Sequence, residues 1–216
     1  ATAPGCYSSS YFSHPDVSLV QAPKQKAVLV LKKLSIRPGM KLLDIGCGWG
    51  WLALSAARDY GADVKAITLS EEQYAAVNGR VLAEGLGGKV SVGLTNYLDL
   101  DAREEFDRVV SVGMFEHVGT GHHDQYFAKI GGLLKPGGLS LLHTLTRLTP
   151  DETNPWIKKY IFPGGYIPTI ADVVGRLPLH GFHLIHAERL RRHYVRTPHR
   201  WLENFRRPEG REAVEA

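Results

Sequence analysis

The apolar run Val109-Val110-Ser111-Val112 leads into Gly113-Met114-Phe115-Glu116-His117-Val118-Gly119. An acid and an imidazole therefore arrive together where the chain should still be half buried. A second chemical candidate is Leu42-Leu43-Asp44-Ile45-Gly46-Cys47-Gly48-Trp49-Gly50, an apolar strand followed by alternate glycines and a helix. Glycine at such a turn lets a ligand approach the backbone and leaves helix N–H groups facing it. The spacing is not the G-x-G-x-x-G of dinucleotide sites, whose last glycine would fall on Trp51. Asp44 would repel a pyrophosphate but accept a hydrogen bond from an ammonium group. The expected ligand is an amino acid fused to a nucleoside, and a nicotinamide oxidoreductase ranks last.

These residues need a scaffold, and the order of apolar runs supplies one. Strand-like and helix-like segments alternate from residue 41 to about 145, the pattern of βαβ units and a parallel sheet. Strands are expected at 41–46, 63–68, 89–94, 106–112 and 138–145, the last after the turn Lys135-Pro136-Gly137-Gly138, with a further strand at 182–190. Helices are expected at 51–60, closed by Gly61, and from Ser70 to Gly85, with Ser70 as cap and Glu71 and Glu72 in the first turn. The fold class is α/β, doubly wound and mostly parallel, and 216 residues suit one domain.

Hydrophobic residues make up 44% and charged residues 22%, as in a soluble globular protein and unlike a disordered one. No apolar run approaches the roughly 20 residues of a membrane span. The N-terminus lacks the basic flank and apolar stretch of a signal peptide. Two cysteines, Cys6 and Cys47, are too few for a disulfide framework or a zinc site, which favours a reducing, cytoplasmic setting. The net charge is +4, with Arg189, Arg191, Arg192, Arg196, Arg200, Arg206, Arg207 and Arg211 gathered late in the chain. Such a run is a solvated helix face or a contact for an anionic partner such as a membrane surface. No nucleic-acid motif accompanies it, so nucleic acid is not an expected partner. The oligomeric state is left open.

The stretch "LLDIGCGWG" resembles the first motif of class I S-adenosylmethionine-dependent methyltransferases. "YSSSYF" (7–12), "ITLSEEQ" (67–73), "SVGMFEHVG" (111–119), "LLHTL" (141–145), "NPWIKKYIFPGGYIP" (154–168) and "HYVRT" (193–197) narrow the resemblance to the cyclopropane fatty acid synthase family, in the right order over nearly the whole chain. The resemblance implies cofactor contacts at Tyr7 and Ser8, at Gly46, Cys47 and Gly48 beside Asp44, at Thr68 and Leu69, and at Gln73. The second strand ends without the usual acidic residue, making Gln73 the polar contact. Asn96-Tyr97 stands where the family commonly has Asp-Tyr, and an amide still accepts a hydrogen bond from the adenine amino group.

The resemblance further implies methyl transfer to the double bond of an unsaturated acyl chain, giving a cyclopropane or a methyl- or methylene-branched product. The resulting cation needs a dry pocket and a held base. In the family that base is understood to be bound bicarbonate, and its holders map to Ser9, Glu116, His143, the backbone at Leu145, and Tyr194. On this reading Glu116 accepts the bicarbonate hydroxyl while His143 and Tyr194 donate to its oxygens. Ser9 replaces the family's cysteine, and Cys6, three positions early, is a poor substitute. No metal is expected.

Residues 1–40 are expected to cover the cofactor and active site. Residues 146–181, with Trp156, Tyr160, Ile161, Phe162, Tyr166 and Ile167 around Pro163-Gly164-Gly165, are expected to wall an acyl pocket. The resemblance implies a last strand beyond "WLENF", which is expected to be missing from this stretch of sequence, whether as a fragment or a natural truncation. Two alternatives stand beside this reading: a small-molecule N- or C-methyltransferase of the same family, and a non-catalytic lipid-binding relative.

Overall fold

Five apolar runs pair as one parallel sheet in the computed structural model, which describes residues 9–14, 16–150, 154–160 and 164–206. The strands are β1 (Lys41–Ile45), β2 (Asp63–Thr68), β3 (Val90–Leu94), β4 (Phe106–Val112) and β5 (Leu134–His143), in the order β3-β2-β1-β4-β5. β1 is central and its Leu42, Leu43 and Ile45 are all but sealed from solvent, as a strand covered on both faces requires. Each such side chain contributes about 1.5–3 kcal/mol through burial.

The helices are α1 (Ala22–Lys33), α2 (Trp51–Tyr60), α3 (Glu71–Ala83), α4 (His123–Leu133), α5 (Pro155–Tyr160), α6 (Ile170–Arg176) and α7 (Arg191–Arg206). Gly61 ends α2 in the left-handed conformation, and the Ser70 hydroxyl accepts the Gln73 N–H to cap α3. One core cluster joins α1 and α2 to Leu42, Val64 and Val110 on one sheet face. The other joins Leu43, Ile45 and Val109 to Phe115, Tyr126, Phe127 and Ile130 on the opposite face.

Two expectations change. β5 begins at Leu134, with a register shift between Phe106 and Arg108 around the Lys135–Gly138 turn, and ends at His143. The run 182–190 forms no strand. Its Leu184 and Ile185 are 52% and 74% exposed, and it is tied to the end of α1 by side chains, Lys33 Nζ meeting Glu188 at 2.7 Å and His186 Nε2 at 2.6 Å. No neighbouring strand among the described residues offers it a backbone ladder, so its apolar residues have no sheet face to join. Residues 22–33, inside the segment expected as a cover, form a helix whose Ala22, Ala27, Val30 and Leu31 are buried.

Candidate active site

All the parallel strands end at one edge, where ligands of such sheets bind, and the sequence candidates converge there unequally. At the β1–α2 turn the Gly46 and Cys47 N–H groups both donate to the Ile67 carbonyl at 3.0 Å, pinning the turn to β2. Three glycines adopt positive φ for three reasons. A Cβ on Gly46 would lie 3.1 Å from Met114 Cβ, and one on Gly50 would lie 2.8 Å from Val77 Cγ1. A Cβ on Gly48, at φ +55°, would meet nothing within 4 Å. Gly46 is thus kept small by Met114 and Gly50 by α3, while of the three Gly48 alone opens onto space free of the described residues.

Asp44 lies directly before this turn, 3% exposed, with Oδ2 lacking a hydrogen-bond partner among the described residues. Burial pushes its carboxyl up to about 7. A buried carboxylate without a donor is costly, and an ammonium group arriving beside Gly48 would supply one. Burial also drives the Cys47 thiol upward, with Asp44 adding to the effect, which argues against a reactive thiolate. Across the turn the Arg80 guanidinium donates to the Trp49 carbonyl at 2.8 Å and covers the Trp51 ring at 4.2 Å.

At the end of β2 the Thr68 hydroxyl donates to Gln73 Oε1 at 2.7 Å, orienting the amide, and Leu69 is 72% exposed. Asn96 Oδ1 accepts the Leu98 N–H at 3.0 Å, so one lone pair of the expected adenine acceptor already caps a turn. Tyr97 lies edge-on to Tyr126, ring centroids 5.5 Å apart. These groups have the forms a nucleoside needs: an apolar floor, an oriented amide and an acceptor.

The β4 exit resolves the adjacent acid and imidazole. His117 faces solvent, whereas Glu116 is 2% exposed. Glu116 Oε1 accepts the Leu145 N–H at 2.7 Å, and the Glu116 carbonyl accepts the Tyr166 N–H at 2.9 Å. Its Oε2 is buried without a partner among the described residues. The Leu145 N–H, expected to face an anion, is engaged by Glu116 itself. His143 sits at the end of β5 with Nδ1 buried and without a partner among the described residues, and burial, helped by the charge of Lys26, holds the imidazole down to about 3. It is therefore a neutral imidazole at physiological pH. Orphaned oxygen on Glu116 and orphaned nitrogen on His143 fit a small species that both donates and accepts, as bicarbonate does.

Ser9 and Tyr194 are brought to each other's elements rather than onto Glu116 by any direct bond. The Ser10 N–H donates to Thr197 Oγ1 at 3.0 Å, the Phe12 N–H to His193 Nδ1 at 3.2 Å, and the Tyr11 ring lies 4.5 Å from that of His193. The segment carrying Ser9 is thereby strapped to α7, which carries Tyr194, 44% exposed. Tyr7 and Ser8, with Ile161 and Phe162, lie outside the described residues. Trp156 and Tyr160 are 60% and 58% exposed, their rings 5.5 Å apart, while Tyr166 is half-buried and held to Glu116.

Sequence reasoning missed Lys26, buried on α1, Met114 against Gly46, and the Ser10–Thr197 bond. Only Lys26 left a readable sign, a lysine four residues from both Ala22 and Val30 on the apolar stripe of its helix. No cluster of metal-ligating residues occurs among the described residues, and no helix there is long and apolar enough to cross a membrane.

The chain is 44% identical over 168 residues to the cyclopropane-fatty-acyl-phospholipid synthase of Escherichia coli K12, covering 77% of this chain and 42% of that protein. It is 36% identical over 211 residues to cyclopropane mycolic acid synthase MmaA2 of Mycobacterium tuberculosis, covering 91% and 73%. The solved MmaA2 structure superposes with a TM-score of 0.85, covering 92% of this chain and 74% of that one. Mycolic acid cyclopropane synthase CmaA1, solved with SAH and CTAB, is 35% identical with a TM-score of 0.83, covering 91% and 73%. The chain spans about half the length of the first curated relatives it matches, 42% of the Escherichia coli protein and 52% of one from Pseudomonas putida. Residues 4–215 match the family described as mycolic acid cyclopropane synthetase, and with the sheet, the glycine turn and the Glu116 pocket in place the chain belongs to that family.

Proposed function

We propose that this chain carries the catalytic domain of an S-adenosylmethionine-dependent methyltransferase acting on the double bond of an unsaturated fatty acyl chain. The observation that carries the reading is the buried, partnerless Glu116 Oε2 with neutral His143, placed at the same sheet edge as the open space over Gly48. The curated relatives named above, cyclopropane synthases of acyl lipids, support the substrate class.

S-adenosylmethionine, when bound, supplies a methyl that leaves sulfur as the alkene π pair forms the new carbon–carbon bond and the carbon–sulfur pair returns to sulfur. Gly48 admits the methionine portion, Asp44 receives its ammonium, and the oriented Gln73 amide and Asn96 contact the nucleoside, with Thr68, Leu69 and Tyr97 beside it. Tyr7 and Ser8 are the remaining proposed cofactor contacts. Bicarbonate, held there, would supply a base for one proton of the transferred carbon, and ring closure would then give a net gain of CH2. Glu116 accepts the hydrogen bond of that ion while His143, Tyr194 and Ser9 donate to it; the Leu145 N–H holds Glu116 in place. Alignment of an alkene with the methyl provides about 7–11 kcal/mol, and a dry pocket keeps the cation from water.

In this proposal residues 146–181 wall the acyl chain, anchored to the site through Tyr166, and the arginines of α7 face an anionic membrane surface. Mass spectrometry of total lipids from cells expressing the intact gene tests the reading. A gain of CH2 on unsaturated chains, abolished by Glu116→Gln, is expected. Unchanged lipids together with methylation of a small amine would overturn it, and a gain of CH4 would mark a branch reduced by a separate hydride donor.

A further inference from the structure

α1 carries a lysine on its buried face. Lys26 is 5% exposed and, among the described residues, is the only lysine or arginine so buried. A lysine so buried carries its charge inside the fold rather than into water.

The height of Lys26 in the fold follows from its neighbours. Leu34, just beyond α1, accepts a hydrogen bond from Arg108 Nε, and Arg108 is in register with Leu42 near the start of β1. α1 therefore runs against the strand direction, with its first turns at the sheet edge where the strands end. From this common level Lys26 lies eight residues before Leu34, about 12 Å back along the helix, and Asp44 lies about 7 Å beyond Leu42 along its strand. The pairings Asp44–Val110 and Val112–His143 place Asp44 and His143 on one sheet face, the face that α1 covers. His143, paired two residues beyond Val110, lies about 7 Å further along than Asp44, so Lys26 is level with His143. Its charge adds to burial in depressing His143, whereas the Asp44 carboxyl is raised by burial with no cation opposing it.

We propose that Lys26 is a positioning residue of the anion pocket, its buried ammonium supplying the positive charge that allows bicarbonate to sit beside Glu116 and neutral His143. This rests on the reading of the preceding subsection and adds what that reading lacks. Ser9, Glu116, His143, Leu145 and Tyr194 contain a carboxylate and no cation, so a second anion among them meets repulsion that buried surroundings strengthen. Lys26 has the required sign, burial and level.

The test uses the full chain from the intact gene, saturated with S-adenosylhomocysteine and titrated with bicarbonate by calorimetry, alongside turnover measured against bicarbonate concentration. Lys26→Met is expected to weaken bicarbonate binding at least tenfold and to raise the half-saturating concentration similarly, with S-adenosylhomocysteine affinity changed less than threefold. Lys26→Arg should recover most of the loss. Unchanged bicarbonate binding in folded Lys26→Met overturns the proposal, as does a loss confined to S-adenosylhomocysteine affinity, which would place the ammonium on the cofactor's carboxylate. If the methionine variant does not fold, Lys26→Gln against Lys26→Arg makes the same comparison, and equal bicarbonate affinities in the two overturn it. A wild-type protein that neither binds nor needs bicarbonate overturns both the functional reading and this inference; a bicarbonate-dependent wild type with an indifferent Lys26 overturns the inference alone.

Discussion

Glu116 Oε1 holds the Leu145 N–H at 2.7 Å across 29 residues of sequence, joining the exits of β4 and β5 and leaving Oε2 buried without a partner among the described residues. One carboxylate thus has an oxygen that is engaged and, on the proposed reading, an oxygen for chemistry. Glutamine can present its carbonyl oxygen to the same N–H, so Glu116→Gln should fold and bind cofactor normally while turnover falls about 100-fold or more, as for other lost preorganised groups. Glu116→Ala leaves the Leu145 N–H unsatisfied and should also cost about 1–3 kcal/mol of stability. Equal turnover in wild type and Glu116→Gln at saturating cofactor would remove Glu116 from the chemistry.

The glycines of the β1–α2 turn make separable predictions. Gly48→Ala puts its methyl where no described residue lies within 4 Å, so its stability cost is the strain of positive φ, about 1–2 kcal/mol. Its main effect should be a large loss of S-adenosylhomocysteine affinity. Gly50→Ala adds a 2.8 Å collision with buried Val77 and should destabilise by roughly 1–3 kcal/mol more. Calorimetry and thermal melts on both variants would read the two effects, and undiminished affinity in Gly48→Ala would move the cofactor elsewhere.

Much of this arrangement is legible before folding because period and punctuation carry it. Alternating βαβ runs, the left-handed glycine at Gly61 and the Ser70 cap are local signals, and each appears where its chemistry requires. The division of labour among Gly46, Gly48 and Gly50 is not local, since Met114 and Val77 decide it from 68 and 27 positions away. The apolar residues at 182–190 read as a strand because propensity cannot tell whether a neighbouring strand is within reach. Glu116 was legible as a buried acid, but its bond to Leu145 depends on the register of β4 with β5. Lys26 was legible only from its place on the apolar stripe of α1, because a lysine on a helix is ordinarily a surface residue.

Asp44 and His143 give opposing pH dependences. The Asp44 carboxyl rises from 3.8 to about 7 on folding, so its contribution to stability is full below about pH 3.8 and is lost as pH rises through about 7, at most about 4 kcal/mol. The His143 imidazole falls from 6.5 to about 3, so its contribution is full above about pH 6.5 and is lost as pH falls toward 3, at most about 5 kcal/mol. Between pH 4 and 6.5 the two slopes offset. Asp44→Asn should match wild type near pH 4 and become progressively more stable than it up to about pH 7, in urea titrations of the cofactor-free protein. The same variant should weaken S-adenosylhomocysteine roughly 10- to 100-fold, the worth of a hydrogen bond to a charged group. A stability difference that is flat with pH would mean that Asp44 is ionised at its ordinary value.

Ser9 stands one residue from the strap that ties the N-terminal segment to α7, where Thr197, 1% exposed, accepts the Ser10 N–H and donates to the His193 carbonyl, both at 3.0 Å. Two substitutions separate what Ser9 contributes from how it is held. Thr197→Val keeps the shape but removes the acceptor, so the Ser10 N–H is left unsatisfied, costing about 1–3 kcal/mol, and bicarbonate dependence should weaken through misplacement of Ser9. Ser9→Cys leaves the strap intact and restores the side chain that the family usually carries, so it should lower the bicarbonate concentration for half-maximal turnover without changing stability. A better held base takes the proton before a hydride shift moves the cation along the chain, and any mixed product should shift toward cyclopropane. Lipid analysis across a bicarbonate titration reads both effects. If neither rate nor product changes in Ser9→Cys, the cation is discharged without help from this position, and the strap serves only to hold α7 in place.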